Sequence, residues 1–136
     1  MLFVDTSAFL ALVNEKDNNH VDAARFLEDI KTGKARVKKI ITSDYIIDET
    51  LTRIRYAVGH KEAIEWGKDI LSSNVVEKIE VGKEIFELAW ELFEKYEDKR
   101  LSFTDCTSFA IMKKIGAEKA FSFDEDFERI GFKRLP

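Results

Sequence analysis

The stretch Met1-Leu2-Phe3-Val4-Asp5-Thr6-Ser7-Ala8-Phe9-Leu10 decides how the chain is read. Leu2, Phe3 and Val4 form the short apolar run of a fully buried strand. Asp5-Thr6-Ser7 then supplies helix-capping side chains, and Ala8 to Val13 continues as helix. A carboxylate therefore stands where a buried strand hands over to a helix, which in open α/β sheets is the edge that binds ligands. Capping alone explains one Asp at such a point. The question is whether other acids arrive at the same edge.

The handover recurs. Ile40-Ile41 is a second strand candidate, and Thr42-Ser43-Asp44 opens a helix over 43–58 whose stripe is Ile47, Leu51, Ile54 and Val58. Its acids are Asp44, Asp48 and Glu49; Asp48 and Glu49 flank the stripe on opposite sides, so periodicity does not choose between them. Residues 75–79 are strand-like. Leu101-Ser102-Phe103-Thr104-Asp105-Cys106 opens a helix that ends at Gly116. Asp105, Phe109 and Met112 share one face of it, which points the carboxylate along an apolar stripe. The helix macrodipole favours a first-turn Asp whatever its use, but does not explain that inward direction. Ala120-Phe121-Ser122-Phe123 is a further strand, and it ends at Asp124-Glu125-Asp126-Phe127. A helical turn and an extended piece over 132–135 close the chain.

Helices are also expected over 20–30, with Val21, Ala24, Leu27 and Ile30 inward and His20 solvated, and over 63–71. The cleanest amphipathic helix spans 82–96, with Ile85, Leu88, Ala89, Leu92, Phe93 and Tyr96 on one face. Trp66 and Trp90 read as packing residues. Glu97-Asp98-Lys99-Arg100 is a charged loop. Strands alternating with helices predict a three-layer α/β/α fold around a central, mostly parallel sheet of about five strands. Right-handed crossovers place the C-terminal strand ends on one edge, where Asp5, the acids at 44–49, Asp105 and Asp124 or Asp126 converge.

Composition bounds the function. The length of 136 residues predicts one domain with a substantial core, and 45% hydrophobic residues, including 11 Phe, exclude a disordered or fibrous chain. A net charge of −4 argues against a generic polyanion binder while leaving room for a local basic patch. No apolar run approaches the roughly 20 residues of a membrane span. Cys106 is alone, and the two His have no zinc-ligand spacing. These features lead us to expect a soluble cytoplasmic protein.

Clustered carboxylates repel one another, and the repulsion calls for a cation or protons. No Lys or Arg adjoins Asp5 or Asp105, so a metal is the natural compensator. Oxygen ligands without His or Cys suit Mg²⁺ or Mn²⁺. Such an ion activates water for attack on a phosphodiester, alone or as one of a pair. Thr6, Ser7, Ser102 and Thr104 lie within three residues of these acids, where their hydroxyls serve either to orient them or as caps. Lys34, Arg36, Lys38, Lys39, Arg53 and Arg55 are the candidates for phosphate contact.

Phe3-Val4-Asp5-Thr6-Ser7, Thr42-Ser43-Asp44-Tyr45 through Asp48-Glu49-Thr50, Leu101-Ser102-Phe103-Thr104-Asp105, and Phe121-Ser122-Phe123-Asp124-Glu125-Asp126-Phe127 follow one another at characteristic spacing. In this order the chain resembles a PIN-domain ribonuclease, in particular a toxin of the VapC type. The resemblance implies a Mg²⁺- or Mn²⁺-dependent endoribonuclease that leaves 5′-phosphate and 3′-hydroxyl ends on single-stranded RNA or a tRNA loop. It matches Glu49 to the motif acid of the second helix, Asp5 and Asp105 to the two direct metal positions, and Asp124 or Asp126 to the fourth acid; Asp124 is preferred because it follows the strand. It further implies a homodimer and a small antitoxin covering the acid edge. The alternatives are a PIN-fold RNA-processing nuclease without a dedicated antitoxin, a non-catalytic RNA- or protein-binding module, and a phosphotransferase using Asp5 as nucleophile.

Overall fold

Leu2–Val4 forms β1, the middle strand of a five-stranded sheet in the order β3-β2-β1-β4-β5. This computed structural model describes residues 1–97 and 100–136; Asp98 and Lys99 of the expected charged loop lie outside the described residues. The other strands are β2 (Ile40–Ser43), β3 (Val76–Ile79), β4 (Lys119–Phe121) and β5 (Lys133–Leu135), and all four pairings are parallel. Leu2, Phe3 and Val4 are buried, as a strand covered on both faces requires.

Among the described residues seven helices join the strands: α1 (Thr6–Val13), α2 (His20–Lys31), α3 (Asp44–Ala57), α4 (His60–Ser72), α5 (Lys83–Lys95), α6 (Phe103–Ile115) and α7 (Asp126–Arg129). The path β1–β2–β3 moves one way across the sheet and β3–β4–β5 moves the other. With right-handed crossovers, α1–α4 cover one face and α5–α7 the opposite one. Accordingly α1 packs on α2 and α3, α3 on α4, and α5 on α6. The chain leaves β1 and β4 in opposite directions, so the crevice at their C-terminal ends is the topological switch point of the sheet, where such folds bind ligands.

The core beside this crevice is aromatic. Phe109 meets Phe127 edge-on at 5.0 Å between ring centroids, and Phe26 meets Phe121 at 4.8 Å. Among the described residues no helix is long and apolar enough to cross a membrane.

Three local expectations are corrected. In α2 the buried residues are Ala23 and Phe26, while Val21 is 65% exposed. The Phe26 ring, seated on Phe121, has more apolar area to bury than Val21 and sets the rotation of the helix. His20 is half-buried rather than solvated, with Nδ1 2.7 Å from the Ala11 carbonyl oxygen, a contact that ties α2 to α1. In α5 the buried residues are Ile85 and Ala89, and Phe93 is exposed. Trp66 packs edge-on against Phe9 at 5.1 Å, whereas Trp90 is 51% exposed beside Phe93.

Candidate active site

Asp5 caps α1, and the residue is only 5% exposed. Oδ2 accepts the Ser7 N–H at 3.2 Å, the Ser7 hydroxyl at 2.7 Å and the Ser122 hydroxyl at 3.0 Å. These three bonds all fall on Oδ2, and the Thr6 backbone N–H also acts on the carboxylate. Burial raises the Asp5 pKa against the lowering effect of these bonds.

Asp105 is the third residue of α6 and closes a capping box. Its Oδ2 accepts the Ser102 N–H at 2.9 Å, and its own N–H donates to the Ser102 hydroxyl at 3.0 Å. Its carboxyl is pushed up to about 6, first by burial and then by the charges of Asp5 and Asp124, against the pull of the Ser102 bonds. Glu49 is also raised, by burial first and Asp5 second, with Arg53 opposing at 3.6 Å. These influences link the acids in the order Glu49, Asp5, Asp105, Asp124, with Asp5 coupled to two of them.

The structure separates acids that periodicity left equivalent. Asp48 is exposed, and Glu49 faces the Asp5 side of α3. Asp44 is committed to the fold: Oδ1 accepts the Tyr45 N–H at 3.0 Å and the Val81 N–H at 2.9 Å, tying α3 to the segment after β3. Asp126 accepts Arg129 Nη1 at 2.9 Å, whereas Asp124 acts on Asp105.

Asp124 does not directly follow its strand, because β4 ends at Phe121, two residues before the expected limit. Ser122 N–H still reaches the Leu135 carbonyl at 3.1 Å, but the two donors after it are diverted to side chains: Phe123 N–H to Ser7 Oγ at 2.9 Å, and Asp124 N–H to Ser122 Oγ at 3.0 Å. Ladder pairing stops there as a consequence.

The candidate hydroxyls divide. Ser7 and Ser102 bond site acids directly. The Thr104 carbonyl, by contrast, accepts the Thr107 and Ser108 hydroxyls, at 2.7 and 3.2 Å. The hydroxyl of Thr6 is buried without a partner, as is that of Thr50 beside Glu49. An orphaned buried hydroxyl costs about 1–3 kcal/mol, and both stand one residue after a site acid.

The basic residues are distributed differently from expectation. Lys34, Arg36, Lys38 and Lys39 precede β2, and the Lys39 carbonyl accepts the Leu2 N–H at 2.8 Å, level with the start of β1. Asp5 follows the end of β1, so a strand length of roughly 10–13 Å separates the two edges. Lys39 is paired with Glu77, and Lys34 with Asp29 at 3.1 Å. These four residues start from the edge of the sheet opposite the acids. Arg55 lines the groove between α3 and α4 with His60 and Ile64, about 120° round the helix from Glu49. Arg53 stays at the acid edge and borders a groove of about 340 Å³ between α1 and α3.

Sequence reasoning missed two neighbours of the site. Ser122 was read only as part of a strand, and Arg129 was not singled out, although it stands at i+3 from Asp126 and i+4 from Glu125. Cys106 offers no nucleophile: it is buried, and burial followed by the Asp105 charge pushes the thiol up to about 11.

One buried carboxylate, Asp5, and two half-buried ones, Glu49 and Asp105, all with raised pKa, are a donor set that fits a hard divalent cation. Among the described residues no group of three or more His, Cys, Asp or Glu lies close enough together to hold a metal ion. Mg²⁺ needs none, since it is usually held by one or two carboxylates with waters and phosphate oxygens completing the octahedron.

A family model described as PIN domain matches residues 2–133. The chain is 36% identical over 132 residues to the 23S rRNA-specific endonuclease VapC20 of Mycobacterium tuberculosis, covering 97% of this chain and 95% of the relative. The crystal structure of M. tuberculosis VapC20, titled a sarcin-ricin loop cleaving toxin, superposes with a TM-score of 0.88 at 34% identity, covering 97% of this chain and 96% of that one. VapBC2 from Rickettsia felis, bound to a promoter DNA fragment, shares the fold at a TM-score of 0.72 and 15% identity, each chain covered in full. With a switch-point crevice lined by acids and a family match over nearly its whole length, this chain belongs to the PIN domain family.

Proposed function

We propose that this chain is a divalent-metal-dependent endoribonuclease, the toxin of a VapBC-type pair, with Asp5, Glu49, Asp105 and Asp124 as its site. The observation that carries the reading is the file of mutually repelling carboxylates centred on buried Asp5 at the β1/β4 crevice. Asp5 and Asp105 hold Mg²⁺ or Mn²⁺ directly, and Glu49 and Asp124 either complete the ligand set or orient it. An ion bound there supplies a Lewis acid that activates water and neutralises charge developing on the phosphoryl oxygens.

The chain's own residues do the rest. Ser7 holds Asp5 by its Oδ2 and fixes the carboxylate at the end of β1. Ser102 fixes Asp105 at the start of α6, where the helix N-terminus adds positive potential beside the phosphate. Arg53 and Arg129 flank the acids on either side and offset the repulsion a polyanion meets there.

The substrate class is RNA with an exposed, unpaired loop, whether single-stranded RNA, a tRNA loop or the ribosomal RNA named for the VapC20 relatives. A small antitoxin covering the acid edge and a homodimer belong to the same reading. The exposed rings of Phe86, Trp90 and Phe93 on α5 support an interface between copies.

The test is incubation of the purified protein with ribosomal RNA and tRNA in Mg²⁺, Mn²⁺ or EDTA, with mapping of product ends. Metal-dependent cuts bearing 5′-phosphates are expected. Undiminished cleavage in EDTA removes the metal from the account, and intact RNA in every condition leaves the binding-module alternative.

A further inference from the structure

Asp5 and Asp124 follow different strands, and one side chain joins them. Ser122, fully buried just beyond β4, donates its hydroxyl proton to Asp5 Oδ2 at 3.0 Å and accepts the Asp124 N–H at 3.0 Å. Ser7 mirrors it, donating to the same Oδ2 at 2.7 Å and accepting the Phe123 N–H at 2.9 Å.

A hydroxyl has one proton. With both protons directed at Oδ2, none remains for the 3.2 Å contact between the two serine oxygens. The incoming backbone N–H groups occupy lone pairs on the serines and so set the direction of each proton. Oδ2 is held from the segments that follow β1 and β4, and the carboxylate plane cannot turn without breaking bonds to both serines.

We propose that Ser122 is a positioning residue: it aims the Asp5 carboxylate into the crevice and locks the Asp124 backbone to it, presetting the separation of two acids that address one cation. Ser7 sits on the helix that Asp5 itself caps, and its bonds are partly a local turn. Ser122 is 117 residues away in sequence, so its bond is a tertiary one that sets the crevice. Outer partners that orient a ligand typically contribute 10- to 100-fold in metal affinity. The inference rests on the reading of Asp5 as a cation-holding group.

The experiment measures Mn²⁺ affinity of the full chain by electron paramagnetic resonance, without RNA, alongside circular dichroism melts in EDTA. The variants are Ser122→Ala, Ser122→Thr and Asp5→Asn. Ser122→Ala is expected to weaken Mn²⁺ binding about 10- to 100-fold in protein that remains folded at the assay temperature, Ser122→Thr to recover most of the loss, and Asp5→Asn to abolish binding.

Wild-type affinity in Ser122→Ala would overturn the proposal, whatever its melting temperature. Equal losses in the Ala and Thr variants would assign the effect to packing rather than the hydroxyl and would overturn it too. Unchanged binding in Asp5→Asn would instead sink the underlying reading of the site.

Discussion

Asp105→Asn separates the charge of the site from its fold. In the folded chain the Asp105 carboxyl is pushed up to about 6, against an ordinary 3.8. That gap, at about 1.4 kcal/mol per pH unit, caps the cost of ionising it in place at about 3 kcal/mol. Partial contact with solvent screens this to about 1–2 kcal/mol. The folded-state value lies above the unfolded one, so the residue's stabilising contribution is complete below about pH 4 and is lost as pH rises through about 6. Metal-free wild-type protein at pH 8 therefore carries the whole penalty. Asn does not, and its side-chain oxygen still accepts the Ser102 N–H. In EDTA at pH 8, Asp105→Asn should be more stable than wild type by about 1–2 kcal/mol, which for a domain of this size raises the melting temperature by roughly 3–8 °C. The advantage should fall to roughly a third to a half at pH 4.5 and nearly vanish only near pH 3, below the unfolded value. Mg²⁺ at a hundred times its Kd should reverse the order, stabilising wild type by about 2.7 kcal/mol and the variant little. Circular dichroism melts at these pH values, with and without Mg²⁺, read all of this. A variant no more stable than wild type at pH 8 in EDTA, or a gain independent of pH, would refute the charge-repulsion reasoning.

The raised Asp105 carboxyl makes cation binding compete with a proton, so Mn²⁺ affinity should climb as pH rises through about 6; an affinity flat between pH 5 and 8 would contradict it. Asp124→Asn should lower cleavage at least tenfold while Asp126→Asn, which loses mainly its pair with exposed Arg129, lowers it less than threefold; the opposite ranking in matched kinetics would reassign the fourth acid. Reversing the charge of Lys38 and Lys39 should leave cleavage of a short oligonucleotide, and its salt dependence, within about twofold of wild type, because both lie on the far edge of the sheet; a lost salt slope on the short substrate would contradict that placement.

The handovers after β1 and β2 were legible because they use local chemistry: an apolar run too short for a helix, then a capping Asp or Ser; α6 follows α5 with no strand before it, so its Ser102 cap marked a helix start only. Strand burial and the α/β alternation carried the order of the layers as well. What stayed hidden depends on contacts distant in sequence. Asp48 and Glu49 differ by one residue on one helix, and the packing of α1 against α3 decides which of them Asp5 meets. The rotation of α2 is set by Phe26 against Phe121 in another layer. Ser122 becomes a site neighbour only because β4 lies beside β1, and the Lys34–Lys39 cluster enters β2 from the edge opposite the acids rather than following the strand. The exposed aromatics of α5 read as core because a stripe gives the moment of a helix, not how wide a face its neighbour covers.

The central claim is that the carboxylates gathered at Asp5 cut RNA through a bound divalent cation. The most direct test compares wild type with Asp5→Asn, matched for folded fraction, on the same RNA in Mg²⁺ and in EDTA. Cleavage confined to the wild type in Mg²⁺ is the predicted result. Comparable cleavage by folded Asp5→Asn, or by wild type in EDTA, contradicts the account.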